Sequence, residues 1–382
     1  MNRDLTRGPV TKGMLLFALP MILGNLLQQF YNVADTLIVG QFLGATALAA
    51  VGSSYTLMTF LTSILLGMCM GSGAVFSIRF GEGDRARLKN SLSLSFLMIA
   101  AFTVVMNLAV FLLIDPMMGL LQVPEEVYPL MRSYLWVIFW GIGGTFLYNY
   151  FACLLRAIGN SATPLLFLGV SAVLNIALDL VFVVVVPWGV AGAAFATSLS
   201  QWVSGLGLLA FTLAKMPQLR PSRQDVRWEK DRVLEIARFS LLTCVQQSVM
   251  NFGILMVQGL VNSFGTVVMA AFAAAVKIDS FAYMPVQDFG NAFSTFIAQN
   301  YGAKRMDRVG RGIKSAAVAS VVFALLISVL VFVFAKPLLL LFVKPEETEI
   351  LAVGVQYLRI EGAFYFGIGI LFLLYGLYRA IE

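Results

Sequence analysis

Two carboxylates fall inside long apolar stretches of this chain, where charged groups are rare. Asp35 lies in the first stretch, and Asp179 lies in the fifth, four residues after Asn175. A carboxylate at the centre of a bilayer costs at least ~2.5–3.5 kcal/mol, which favours a functional reason for its presence. The spacing of Asn175 and Asp179 puts both on one helical face. Oxygen ligands of this kind suit Na⁺, whereas two neighbouring carboxylates suit a shared proton.

An amide stripe accompanies Asp35. Asn25, Gln28, Asn32 and Asp35 follow one another at steps of three, four and three residues, which places them along one face of a helix. A polar face on a membrane helix must meet protein or water. The stripe therefore lines a cavity or forms hydrogen bonds between helices, and for the three amides both readings stay open.

The second half of the chain carries three further acids in apolar stretches, Asp279, Asp288 and Glu361. We interpret them as cavity-facing groups. The alternative is that Lys277 and Arg359, which are close to them in sequence, neutralise them as structural ion pairs.

The composition requires lipid as the solvent for most of the chain. Of its residues, 59% are hydrophobic and 12% are charged, and the mean hydropathy is +0.86, so a soluble domain of this size could not cover its apolar side chains. About ten stretches are long enough to span a bilayer: residues 14–40, 47–78, 91–114, 130–155, 162–187, 190–214, 236–262, 267–299, 313–343 and 350–378.

The residue inventory argues against an enzyme. There is no histidine, and the three cysteines are isolated, which excludes the usual zinc sites and Ser-His catalysis. No P-loop or dinucleotide-binding motif occurs, so energy for transport would come from an ion gradient rather than from ATP. We expect no cofactor, and no metal other than a coupling Na⁺.

One segment of the chain is repeated at an offset of 221 positions, at which Gly44 matches Gly265 and Pro116 matches Pro337. With a gap of two residues, Arg156 then matches Arg379. We therefore expect an all-α membrane protein with two pseudo-symmetric six-helix lobes in parallel orientation. The predicted N-lobe covers 1–214, a basic cytoplasmic linker 215–235 and the C-lobe 236–382. The second copy is shorter, which predicts twelve helices in the parent architecture and two missing here.

Basic residues occur in every second connection between the apolar stretches, and the other connections are uncharged or acidic. The positive-inside rule then places the N-terminus in the cytoplasm. The net charge of +6 arises from these basic connections and is therefore no argument for nucleic-acid binding. We expect the lipid bilayer, and no nucleic acid, as a partner of the chain.

Several segments together resemble the multidrug and toxic compound extrusion (MATE) family, in the prokaryotic branch with the MepA-like and DinF-like subgroups. The resemblance spans the whole chain. The segments that carry it are Ala34-Asp35-Thr36 to Gly44, Ala157-Ile158-Gly159-Asn160, Asn175 to Asp179, and Met284-Pro285 through Asn300-Tyr301-Gly302-Ala303.

The resemblance implies a secondary active antiporter that exports cationic amphipathic compounds in exchange for Na⁺ or H⁺ by alternating access. It implies a bacterial plasma-membrane protein, for which we expect a monomer. The N-lobe cation site of the family matches Asp35, Asn175, Asp179, Thr197 and Tyr134. In another subgroup a glutamate on the seventh helix forms a C-lobe site, and this chain has Gln246 and Gln247 in that region.

Other functions remain alternatives. A flippase for lipid-linked oligosaccharides has the same architecture but would need several arginines or lysines in its cavity, whereas the candidates here are amides and acids. A channel is disfavoured by the tandem lobes. An inactive truncated remnant stays open because the second repeat is shorter.

Overall fold

The computed structural model describes residues 4–121, 123–220, 227–262 and 264–381, which form helices joined by short turns and contain no β-strand. Short 3₁₀ turns lie at Phe139–Gly141 and Pro217–Leu219, and a π-helical turn lies at Leu180–Val185. The α-helices in these ranges are α1 Val10–Leu43, α2 Ala45–Glu82, α3 Arg85–Leu112, α4 Ile114–Leu120, α5 Tyr128–Ile138, α6 Ile142–Ala157, α7 Ala162–Asp179, α8 Gly189–Lys215, α9 Lys230–Asn262, α10 Thr266–Gly302, α11 Met306–Leu339, α12 Thr348–Ala363 and α13 Tyr365–Ile381.

The predicted membrane spans coincide with these helices. Eight helical segments of the described part are long and apolar enough to cross a bilayer, one of which, Tyr128–Ala157, consists of α5 and α6 together. A ninth span results if α12 and α13 are counted together. The seventh predicted stretch, 236–262, lies on α9, which is not among those nine. Many side chains of α11 are exposed leucine, valine and phenylalanine, as expected for a helix in contact with lipid.

The repeat predicted from the sequence is visible in the backbone. Gly44 precedes α2 with φ 85° and ψ −177°, and Gly265 precedes α10 with φ 91° and ψ 175°. Residues with a Cβ atom rarely adopt this backbone conformation, so both copies need glycine at the same turn. Both α2 and α10 then continue for more than 35 residues, 38 and 37 respectively. The matched glycines therefore mark the same structural position in each repeat.

Packing divides the chain into two compact units. Unit 1 contains residues 23–248, and unit 2 contains the described residues 4–22 and 249–381. The helix α1 thus begins in unit 2 and ends in unit 1, while α9 begins in unit 1 and ends in unit 2. The lobe boundaries at 214 and 236 stay a prediction, because packing divides the chain elsewhere. Of the predicted segments, 1–3, 221–226 and 382 lie outside the described residues.

In unit 2 the start of the chain is held by one buried arginine. Arg308, 6% exposed, donates from Nη1 to the Gly8 carbonyl at 2.8 Å and from Nη2 to the Leu5 and Arg7 carbonyls at 3.0 and 3.2 Å. Its Nε donates to Asn300 Oδ1 at 3.0 Å. The planar guanidinium satisfies four acceptors in fixed directions, which ties the segment before α1 to the start of α11.

We expect Arg308→Lys to lower the free energy of unfolding by about 2 kcal/mol, because lysine keeps the charge but cannot reach the same four acceptors. Thermal unfolding in detergent measures the change. Arg311→Lys is the matched control, since Arg311 is 65% exposed and pairs with Asp307 one turn before it on α11. Equal melting temperatures for the two variants would contradict the assignment.

Candidate functional site

The last turns of α7 carry two of the predicted site residues. Asn175 is 2% exposed and Asp179, at the end of the helix, is 0% exposed. The π-helical turn Leu180–Val185 follows directly, and such turns are frequent at functional sites. A Cβ on Gly192 would lie 2.7 Å from the Phe182 carbonyl oxygen, so the start of α8 approaches this turn closely. Asp179 therefore lies at the point where the α-helix α7 passes into the π-helical turn, and this turn packs closely on the start of α8.

The helix α8 brings Thr197 to α7. Asn175 Nδ2 donates a hydrogen bond to Thr197 Oγ1 at 3.2 Å. The amide nitrogen of Asn175 faces Thr197 in this bond, so Asn175 Oδ1 points away from Thr197. It is buried and accepts no hydrogen bond from the described residues.

The helices α1 and α5 supply the remaining predicted residues. Asp35 of α1 lies beside Asp179, and the two carboxyl groups are close enough for a hydrogen bond between them when one holds a proton. Tyr134 of α5 is 6% exposed and lies near both carboxyl groups. The structure thus brings together all five residues that the family resemblance implies, from four helices of unit 1.

The cluster contains oxygen atoms that accept no hydrogen bond from the described part of the chain. These atoms are Asp35 Oδ1, Asn175 Oδ1, Asp179 Oδ1 and Asp179 Oδ2. No described lysine or arginine forms an ion pair with Asp35 or Asp179. Buried acceptors without donors are costly, and a proton or a Na⁺ ion bound among them would remove this cost.

The amide stripe of α1 lies in unit 1, on the helix that carries Asp35. Asn25 and Asn32 are half-buried, and Gln28 is exposed. Tyr31, which was missed in the sequence, lies near both Gln28 and Asp35. Its position four residues before Asp35 was the available signal, because that spacing places the two side chains on the same helical face.

The two glutamines in the region of the family's C-lobe site pack in unit 1. Gln246 is half-buried and Gln247 is 8% exposed, and both belong to the part of α9 that packs in unit 1. In this part of α9, Ser240 Oγ and Ser72 Oγ of α2 are 3.1 Å apart. The two glutamines thus belong to unit 1, whereas the three acids belong to unit 2.

The three acids of the second half occupy buried or half-buried places in unit 2. Asp279 and Asp288, both on α10, are 5% and 3% exposed, and Glu361 on α12 is half-buried. The alternative that Lys277 and Arg359 neutralise them is wrong for the described residues, among which neither cation forms an ion pair. Lys277 Nζ lies 5.7 Å from the Phe342 ring centroid, and the Arg359 guanidinium lies 5.1 Å from that of Phe332.

Outside the spans, Asp115 on α4 has partners of its own. Arg132 Nε and the Tyr128 hydroxyl each donate to Asp115 Oδ1 at 2.8 Å. The Arg132 guanidinium, followed by the Tyr128 hydroxyl, holds the pKa of this carboxyl below its usual value. Asp115 is therefore an ionised group at the surface of unit 1.

Comparison with known proteins gives consistent results. The sequence model of the MatE family matches residues 20–181 and 242–382. The chain is 32% identical over 386 residues to the probable multidrug resistance protein YpnP of Bacillus subtilis, covering 99% of this chain and 84% of that protein. It is 23% identical to the multidrug export protein MepA of Staphylococcus aureus, with 96% and 81% covered.

Among solved structures, the fold matches an outward-facing conformation of a multidrug resistance MATE family transporter of the MOP superfamily. The TM-score is 0.92 at 22% identity, covering 99% of this chain and 84% of that one. A second match is the bent form of the Vibrio cholerae MATE transporter VcmN, with a TM-score of 0.89 at 26% identity, covering 97% and 84%.

Proposed function

Because the chain belongs to the MatE family of multi-pass membrane transporters, we propose that it is a multidrug efflux antiporter driven by H⁺ or Na⁺. The observation that carries this proposal is the cluster of buried oxygen atoms at Asp35, Asn175 and Asp179, which accept no hydrogen bond from the described residues. We propose that the coupling cation binds there, with Thr197 and Tyr134 completing the site. We propose cationic amphipathic compounds as cargo, in line with relatives that are multidrug resistance proteins.

The charge balance of the cluster suggests the coupling step. Without a cation, two buried carboxylates face each other and repel, which favours uptake of a positive charge. Binding one proton or Na⁺ reduces the charge of the Asp35–Asp179 pair from −2 to −1 and weakens the attraction that the pair exerts on a cationic drug. Drug and coupling cation then compete electrostatically, as an exchanger requires.

The available driving force is sufficient for export. One charge crossing 100 mV contributes ~2.3 kcal/mol, and one pH unit adds ~1.4 kcal/mol. A single cation at that potential would sustain a gradient of a neutral compound of about fifty-fold. The basic connections between the spans support a cytoplasmic N-terminus in a bacterial plasma membrane, and we propose that the carrier works as a monomer.

Ethidium uptake into everted membrane vesicles tests the function. We expect an imposed gradient of H⁺ or of Na⁺, higher in the lumen, to drive ethidium into the vesicles, and an ionophore for that ion to abolish the uptake. Vesicles from the same cells without this protein are the control. Uptake that needs ATP, or that continues after both gradients are dissipated, would contradict the proposal.

A further inference from the structure

One face of the first half of α9 is exposed along its length. Lys230, Leu234, Arg238, Leu241 and Val245 follow one another at steps of four, four, three and four residues, which places them on one side of the helix. All five are exposed, Leu234 at 65% and Leu241 at 64%. They belong to unit 1, and we call them the α9 stripe. The stripe carries two cations near the start of the helix and only apolar side chains after them.

Another face of α9 is fixed on α2. Arg79 Nη2 of α2 donates to both carboxylate oxygens of Glu235 at 2.6 Å. A Cβ on Gly67 of α2 would lie 2.7 Å from Cys244 Cα, so the backbones of the two helices touch. An ion pair and a backbone contact thus hold α9 in one rotation about its axis, and the stripe keeps its outward direction.

The cations of the stripe have no acidic partner in the described part of the chain. Neither Lys230 nor Arg238 forms an ion pair there. Glu229, directly before the helix, pairs with Arg232 at 2.9 Å. Asp231 is exposed, but as the residue next to Lys230 it lies on a different side of the helix. The stripe therefore presents two positive charges that are available to an anion.

Two exposed residues extend the basic end of the stripe. Arg227 lies three residues before Lys230 and forms no ion pair with a described acid. Its carbonyl accepts a hydrogen bond from Asn90 Nδ2 of α3 at 3.0 Å, which holds this segment on unit 1. Trp228 is 64% exposed, and tryptophan is enriched where a bilayer meets water. This end of α9 thus has the composition of a helix segment at a membrane surface.

The spacing along the stripe fits the depth of one leaflet. At 1.5 Å per residue, Arg238 lies about 5 Å from Leu241 along the helix, and Lys230 lies about 12 Å beyond Arg238. The polar layer on each side of a bilayer core is about 5–8 Å thick. With Leu241 beside acyl chains, Arg238 lies at the level of the phosphates. Lys230 lies at the outer edge of this layer, and its long side chain reaches back into it.

We propose that the α9 stripe binds an anionic phospholipid of the leaflet next to the basic connections, with the phosphate on Arg238 and Lys230 and an acyl chain along Leu241 and Val245. Charge complementarity selects this occupant, because a zwitterionic lipid also carries an ammonium group, which the two cations repel. A soluble anion would leave the apolar half of the stripe unused. The inference does not depend on which cation or cargo the carrier uses.

Native mass spectrometry of the full chain in detergent tests the site, because it counts bound lipids without a bilayer whose overall charge attracts them. Phosphatidylglycerol is titrated, with phosphatidylcholine of the same acyl chains as the zwitterionic comparison. We expect the unaltered chain to bind phosphatidylglycerol more tightly. Each cation removed should weaken this binding about fivefold, so Lys230→Gln/Arg238→Gln should lose about 25-fold.

Arg85→Gln/Lys89→Gln is the matched control, since it removes the same charge from the start of α3 in the same unit. The next residues on that side of α3 are Leu92, which is buried, and Phe96, which is half-buried, so no exposed apolar stripe follows the two cations. This variant should bind phosphatidylglycerol like the unaltered chain. Thermal unfolding in detergent checks that both double variants are folded.

A phosphatidylglycerol with a photoactivatable acyl chain locates the bound lipid on the unaltered chain. We expect it to label the part of α9 that contains Leu241 and Val245. Labelling elsewhere, equal affinity for the two lipids, or an equal loss of affinity in both double variants would overturn the site. Displacement of the lipid by glycerol phosphate at similar concentration would show that the cations bind a soluble phosphate, which also overturns the proposal.

Discussion

Cells that express Asp35→Asn or Asp179→Asn are expected to lose ion-driven efflux of ethidium. Asparagine has nearly the shape of aspartate but no charge to exchange for a cation, so each variant resembles the state with the cation bound. Exchange of one coupling cation for one ethidium is electroneutral, so the accumulation ratio depends on the ion gradient, about tenfold for a tenfold gradient, and this ratio should fall towards one. Efflux is measured in cells without their own pumps, as the decay of ethidium fluorescence after energy is restored.

Asp307→Asn provides the matched control for these variants. Asp307 is 68% exposed on α11 and pairs with Arg311, so its loss should leave efflux unchanged. Protein levels in the membrane are compared by immunoblotting, so that poor expression is not taken for lost coupling. If both site variants export ethidium as fast as the control, the coupling cation does not bind at the unit 1 cluster.

Gly144→Leu is expected to destabilise unit 1 more than any polar substitution on its surface. A Cβ at Gly144 would lie 2.7 Å from the Trp202 backbone nitrogen and 2.8 Å from the Gln201 carbonyl carbon. On the facing helix, a Cβ at Gly205 would lie 2.6 Å from the Gly144 carbonyl oxygen. Backbone atoms cannot turn away as side chains do, so α6 and α8 would have to separate.

Overpacking of this kind costs about 1–3 kcal/mol and occasionally more. We expect a clear drop in the thermal unfolding temperature in detergent. Because α8 also carries Thr197, ethidium transport should fall in the protein that remains folded. The control is Gly52→Leu on α2, where a Cβ meets no atom within 4 Å. Similar unfolding temperatures for the two variants would show that α6 and α8 tolerate separation.

Much of the fold was predictable because its signals are local. A run of apolar residues long enough to cross a bilayer needs no partner to be recognised, and each of the ten stretches falls largely on one helix or on consecutive helical segments. The repeat was also predictable from the sequence. Gly44 and Gly265 have a backbone conformation that other residues rarely adopt, so both copies need glycine at this position. Asp35 and Asp179 were identified by the cost of a charge in lipid, before anything was known of their neighbours.

The packing units were not predictable in this way. The start of α1 packs in unit 2, and the start of α9 packs in unit 1. Packing of this kind depends on contacts such as those that Arg308 makes with the carbonyls of Leu5 and Gly8. A hydrogen bond between distant segments leaves no periodic pattern in the chain. The division at 214 and 236 followed the order of the spans, which does not determine their contacts.

The sequence by itself determined the order of the long apolar segments, the repeat and the presence of costly acids, because hydropathy and backbone preference act on each segment separately. Only the tertiary structure decided which acids meet: Asp35 with Asp179 in unit 1 and Asp279 with Glu361 in unit 2. It also decided that Lys277 and Arg359 lie against aromatic rings rather than beside those acids. Such pairings depend on how helices cross and rotate against one another, which is settled when whole helix faces pack together.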